Sequence, residues 1–192
     1  MFWCKPEACC RDRRRSRRAT PAFTLIEILL VVIILGIASA ILVPQIGARC
    51  DLQAASAARV IMSDLLYAQN HAIATQTYQY VTFDSINQKY TLYSGTSTGP
   101  TTVLTHPVTQ QNYVMTFNGN GSNTFANVTL VSVNFGNNQP TIAFDALGVP
   151  YYYTAASKTN TAISGVGTIQ ISSGGYGLNI NVAQDTGDIS IQ

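Results

Sequence analysis

Residues 23–43 decide what this chain can become: twenty-one consecutive residues whose only formal charge is Glu27. At about 1.5 Å of rise per residue, such a run makes a helix of roughly 30 Å, the thickness of a bilayer's hydrocarbon core. A secretory signal peptide would carry a shorter apolar core with its small-residue cleavage site after it. Here the small residue, Ala22, precedes the apolar run and an arginine-rich segment lies just before it. Basic residues flanking a first apolar span hold that side in the cytoplasm, so the C-terminal part is expected to face the periplasm or the cell exterior.

Charge divides the chain at the same place. Residues 1–22 hold seven basic residues (Lys5, Arg11, Arg13, Arg14, Arg15, Arg17 and Arg18) against Glu7 and Asp12. The remainder holds four basic residues against seven acidic ones, so the basic character of the whole sequence resides in its first 22 residues. Cys4, Cys9 and Cys10 fall in the same segment without the His or fourth Cys that zinc coordination needs. Beyond residue 22 one cysteine remains, Cys50. It has no intramolecular partner there and is expected as a free thiol near the membrane boundary, with an intersubunit bridge as the alternative.

Arg17-Arg18-Ala19-Thr20-Pro21-Ala22, followed by Phe23-Thr24-Leu25-Ile26-Glu27 and an apolar run that contains Gly36 and ends at Pro44, resembles the class III signal of the type IV pilin superfamily. The resemblance implies that a membrane-embedded prepilin peptidase cuts between Ala22 and Phe23 and methylates the new amino terminus of Phe23. The residue before the cut is usually Gly in that family, and here it is Ala22. Glu27 fits the same picture on physical grounds. A carboxylate in an apolar span is costly, and in a packed bundle of such helices it could pair with the fresh ammonium of a neighbouring subunit's Phe23, setting register through one ion pair. The plainer alternative is a membrane anchor with an incidental acid.

Pro44 removes a backbone donor and is expected to kink or interrupt the helix where the membrane ends. Helical periodicity resumes over 51–76, with Ala54, Ala57, Ala58, Ile61, Leu65, Ala68 and Ala72 on one face and Arg59, Ser63 and Asn70 opposite. From residue 77 the period changes to two. Strands are predicted at 77–84, 89–94, 113–117, 128–135, 141–144, 150–154, 168–172, 178–182 and 188–191, with tight turns at 84–88 and 185–187. Thr-, Asn- and Gly-rich stretches at 95–109 and 118–127 are predicted as exposed loops. Four regions result: a basic leader at 1–22, a transmembrane helix at 23–43, its periplasmic continuation at 44–76 and a β-rich head at 77–192. The fold class is α+β, a long kinked N-terminal helix packed on antiparallel sheets.

Tyr67-Ala68-Gln69-Asn70-His71-Ala72-Ile73, Ile142-Ala143-Phe144-Asp145-Ala146-Leu147-Gly148-Val149-Pro150 and Thr186-Gly187-Asp188-Ile189 resemble the GspH/FimT family of minor, H-type pseudopilins and related minor pilins. That resemblance implies a pilin-like lollipop, anchored in the bacterial inner membrane by one span and acting as a structural subunit of a type II secretion pseudopilus or a related type IV pilus-like filament. The implied partners are prepilin peptidase, other pseudopilins or pilins, the inner-membrane assembly platform and membrane lipid. A FimT-like minor pilin for DNA uptake is one alternative and a membrane-anchored periplasmic enzyme another. Against the first, residues 159–192 contain no Lys or Arg to neutralise phosphates. Against the second, no catalytic constellation, cofactor motif or metal motif emerges: His71 and His106 lack ligand-spaced neighbours. Asp185 and Asp188 flank a turn and are a thin set for calcium beside the reading of solvated turn residues.

Overall fold

The computed structural model describes residues 23–45, 49–119 and 125–192. Helix α1 (Leu25–Gln45) opens at Thr24, where the Glu27 backbone N–H donates to the Thr24 carbonyl at 3.1 Å and to Thr24 Oγ1 at 3.4 Å, satisfying a donor that the first turn leaves free. Glu27 sits in that first turn, where a negative charge suits the helix dipole. Side chains of α1 are described as far as Ser39, and every residue from 23 to 37 is exposed. Among the described residues, no helix is long and apolar enough to cross a membrane; the crossing expected over 23–43 includes residues 40–43, whose side chains lie outside that set. The leader with Ala22 and its three cysteines also lies outside it. Pro44 falls in the last turn of α1, and the kink expected there abuts residues 46–48, which are not described.

The described residues up to Val43 and those from Pro44 onward form two compact units. In the second, α2 (Arg49–Thr75) is followed by eleven strands among the described residues: β1 (Tyr78–Asp84), β2 (Lys89–Thr96), β3 (Gly99–Val103), β4 (Val114–Thr116), β5 (Val128–Asn134), β6 (Thr141–Phe144), β7 (Pro150–Thr154), β8 (Thr159–Ala162), β9 (Val166–Ser173), β10 (Tyr176–Ala183) and β11 (Ile189–Ile191). They make two antiparallel sheets. One runs β3-β2-β1-β6-β7-β8 with β4 also paired to β2, and the other runs β11-β10-β9-β5. Helix α2 packs on β1 and β6 of the first sheet and on β5, β9, β10 and β11 of the second.

The predicted alanine-rich stripe is the face that packs. Ala54, Ala57, Ala58, Ile61, Leu65, Ala68 and Ala72 are all fully buried, whereas Arg59, Ser63 and Asn70 are exposed. Small side chains let strands approach the helix closely, while Ile61 and Leu65 each contribute about 1.5–3 kcal/mol by burial. They meet Val81, Phe83 and Ile142 from the first sheet and Ile169, Ile171 and Ile180 from the second.

Two expectations need correction. The stretch 95–109, predicted as an exposed loop, supplies strand β3, which pairs with β2 from Tyr93↔Val103 to Thr96↔Gly99. Its β-branched threonines suit an edge strand, and Pro100 is tolerated there because an edge strand needs fewer donors. Strand β8 was also missed: it is short, polar and an edge, so it carries no apolar alternation to read.

The two sheets are stitched by one amide. Gln88, at the end of the β1–β2 turn with φ of 51°, donates from Nε2 to the Leu130 carbonyl at 3.1 Å and accepts from the Leu130 N–H at 2.7 Å. A side chain thus supplies on β5 the pair of bonds that a neighbouring strand would. Gln88→Ala is expected to cost about 1–2 kcal/mol, measured by urea unfolding; an unchanged midpoint would show that water replaces the amide without loss.

Candidate functional site

Among the described residues, three features carry the available chemistry. The first is the start of α1. Phe23 is 74% exposed, Glu27 is one helical turn further on, and an unbroken run of exposed apolar residues follows. A helix apolar on every side has no face suited to water. Ala22 and its bond to Phe23 lie at the border of the described residues.

The second feature is a junction between segments far apart in sequence. Near the C-terminal end of α2, Gln69 Nε2 donates to the Gly148 carbonyl at 2.9 Å and to the Thr186 carbonyl at 3.1 Å. Gly187 fits there because a Cβ would stand 2.7 Å from Gln69 Nε2 and 3.2 Å from the Gly148 carbonyl oxygen. The turn after β6 is closed by a carboxylate. Asp145 Oδ1 accepts from the N–H groups of Leu147 and Val149, both at 2.9 Å, Gly148 adopts φ of 81°, and Phe144 is fully buried. The segments 67–73, 142–150 and 186–189 therefore converge on one amide side chain.

The third feature was missed in the sequence. Asp64 lies on the buried face of α2, where it accepts from Tyr90 Oη at 2.5 Å and from Tyr113 Oη at 2.9 Å. Burial pushes its carboxyl above the ordinary range, and the two phenol hydrogen bonds and the His106 ring oppose that. The same burial, with the carboxylate beside them, raises the hydroxyls of Tyr90 and Tyr113. His106 packs on Tyr113 with ring centroids 4.5 Å apart, and its Nδ1 accepts from the Val108 and Thr109 N–H groups at 3.1 and 3.2 Å. Tyr67 lies against both Tyr113 and His71. Both histidines and the buried acid thus belong to one aromatic cluster that organises the loop after β3. The readable signal was phase: Asp64 is three residues after Ile61 and four before Ala68, within the apolar stripe.

Among the described residues no group of three or more His, Cys, Asp or Glu is placed to hold a metal ion. Asp185 (φ 65°) and Asp188 shape the β10–β11 turn, where the Asp188 carbonyl accepts from the Ala183 N–H at 2.8 Å. Cys50 carries a free thiol packed where a side chain on Gly174 would meet it.

No family model matches this chain, and no curated protein matches it in sequence. Among solved structures, its fold is similar to that of the minor pseudopilin EpsH from the Type 2 Secretion System of Vibrio cholerae, with a TM-score of 0.50 and 15% identity over 73% of this chain and 96% of that one. At that identity the likeness is one of fold. The α+β architecture expected from the sequence, a helix on antiparallel sheets, is thus found in a pseudopilin.

Proposed function

We propose that the protein is a minor pseudopilin of the GspH/FimT type, a structural subunit that works by assembling into a secretion pseudopilus or related type IV pilus-like filament. The observation that carries this is α1: an apolar helix exposed from 23 to 37, with one carboxylate a turn from Phe23, joined to a head whose fold is like that of a pseudopilin. In this reading residues 23–43 cross the inner membrane, the basic leader stays in the cytoplasm and the head faces the periplasm. Prepilin peptidase cuts between Ala22 and Phe23 and methylates Phe23, the assembly platform extracts the subunit, and neighbouring apolar helices cover its exposed sides. Burial then makes an unpaired Glu27 expensive, so the Phe23 ammonium and Glu27 select each other across subunits.

The experiment is Glu27→Ala in the full chain, expressed with a prepilin peptidase and partner pseudopilins. Membrane recovery and an N-terminus at Phe23 are expected to be unchanged, while recovery in sheared or crosslinked filament falls at least tenfold, as losing a buried partner costing about 3–5 kcal/mol requires. Normal incorporation of the alanine variant sinks the pairing, and a chain that still begins at Met1 sinks the processing.

A further inference from the structure

The outer face of the larger sheet, opposite the one that packs on α2, carries a second set of aromatic residues. Tyr80, Ala143 and Tyr153 form a small cluster separate from the main core, with Tyr78, Tyr93 and Tyr151 packed against it. On this face lies a cleft of about 270 Å³ lined by Thr82, Tyr93, Pro100, Thr101, Thr141, Tyr153 and Ala155. Thr82 of β1 and Thr141 of β6 are register partners, and Thr141 Oγ1 donates to Thr82 Oγ1 at 3.2 Å. Tyr93 on β2 and Tyr153 on β7 stand on the two strands flanking that pair. Both tyrosines and the threonine pair line the same cleft, so hydroxyls and two aromatic walls share it.

One wall is locked before any ligand arrives. Tyr153 meets Tyr80 edge-on at 5.3 Å and donates to the Thr98 carbonyl at 3.3 Å. Tyr80 Oη donates to the Thr96 carbonyl and accepts from Asn160 Nδ2 at 2.9 Å, which also donates to the Ser97 carbonyl at 3.1 Å. Three successive carbonyls of the β2–β3 turn are thereby held, so this wall costs little ordering on binding. The other wall keeps a free polar tip: Tyr93 Oη makes no hydrogen bond among the described residues, and Tyr93 is only half-buried.

The lining selects a chemistry. It contains no Lys, Arg, His, Asp or Glu, so a charged ligand would lose hydration without recompense. It combines phenol faces with three threonine hydroxyls, which suits a molecule with apolar ring faces and a rim of hydroxyls. It also lies across the face of the sheet, whereas an extended peptide is read along an edge. We propose that this cleft binds a neutral saccharide, one ring of a glycan seated between Tyr93 and Tyr153 over the Thr82–Thr141 pair. The proposal rests on the head alone and is independent of filament assembly.

The test is calorimetric titration of the full chain, held in sugar-free polyoxyethylene detergent, with cellohexaose, maltohexaose and chitohexaose in turn. Saturable binding of at least one is expected, weakened about fivefold by Tyr93→Phe through loss of one hydrogen bond. Tyr93→Ala is expected to abolish it, while Tyr176→Ala, at a half-exposed tyrosine on the other sheet, leaves it unchanged. Unfolding midpoints of the variants establish that each is folded. The proposal is overturned by no saturable heat with any of the three up to about 10 mM, by binding indifferent to Tyr93, or by a proline-rich peptide binding more tightly at Tyr93 than any saccharide.

Discussion

Asp64→Ala is expected to lower the unfolding free energy by about 2–4 kcal/mol, because it leaves the hydroxyls of Tyr90 and Tyr113 without their acceptor and each unsatisfied buried donor costs about 1–3 kcal/mol. Relief of the carboxylate's own desolvation offsets part of that loss. Asp64→Asn keeps one carbonyl oxygen for the tyrosines, so its cost should stay near about 1 kcal/mol. The comparison separates the acceptor from the charge. Equal losses in the two variants, measured by urea unfolding, would mean that the space filled by the side chain matters and the hydrogen bonds do not.

The same pair of proteins gives a pH dependence of defined sign. The Asp64 carboxyl is raised above its ordinary value of 3.8 by burial, against the lowering effect of Tyr90, Tyr113 and His106. Between the unfolded and the folded values, the native chain therefore holds more protons than the unfolded one, and stability falls as pH rises through that window. The favourable contribution is complete below the unfolded value and lost above the folded one. On acidification from neutral pH, the wild type is expected to gain stability relative to Asp64→Asn; a difference that stays flat down to pH of about 4 would mean that the carboxyl titrates as an exposed one does.

Gly95→Ala is expected to cost about 2–4 kcal/mol, a fall in midpoint of roughly 6–12 °C for a head of this size. A methyl group there would run into the Gly99 carbonyl oxygen while lying 2.7 Å from Tyr80 Cε2 and 2.9 Å from Pro100 Cα. Two of those obstacles are backbone, so the β2–β3 hairpin must open. Opening it pulls Thr96 and Thr98 away from the hydroxyls of Tyr80 and Tyr153. Gly177→Ala is the control. It lies in β10, and its nearest obstacle, the Ile171 carbonyl oxygen, is 3.8 Å away, so a change within about 0.5 kcal/mol is expected. Equal effects at the two positions would mean that the methyl's collision is not what matters at Gly95.

Much of the head was legible because its signals are local. The stripe from Ala54 to Ala72 could be phased by helical period alone, and every member is buried. Asp84 opens the tight turn predicted at 84–88, and its Oδ1 accepts from the N–H groups of Ile86 and Asn87 at 3.1 and 2.9 Å. What escaped was written in polar residues whose role depends on partners far along the chain. Thr-rich β3 and β8 have no apolar alternation, and only pairing with β2 and β7 makes them strands.

The amino-acid order alone determined the apolar run with its single acid, the buried face of α2 and most of the β-strands, since periodicity, turn chemistry and charge spacing act within a few residues of one another. Tertiary structure decided the rest. It set Asp64 beneath two tyrosines, Gln88 against the free edge of β5, Gln69 between two turns, and Tyr93 in one cleft with Tyr153. The physical reason is that a buried polar group is defined by the partner that satisfies it, and here those partners are brought together by sheet order and packing, 26 to 117 residues away along the chain for the hydrogen-bonded ones.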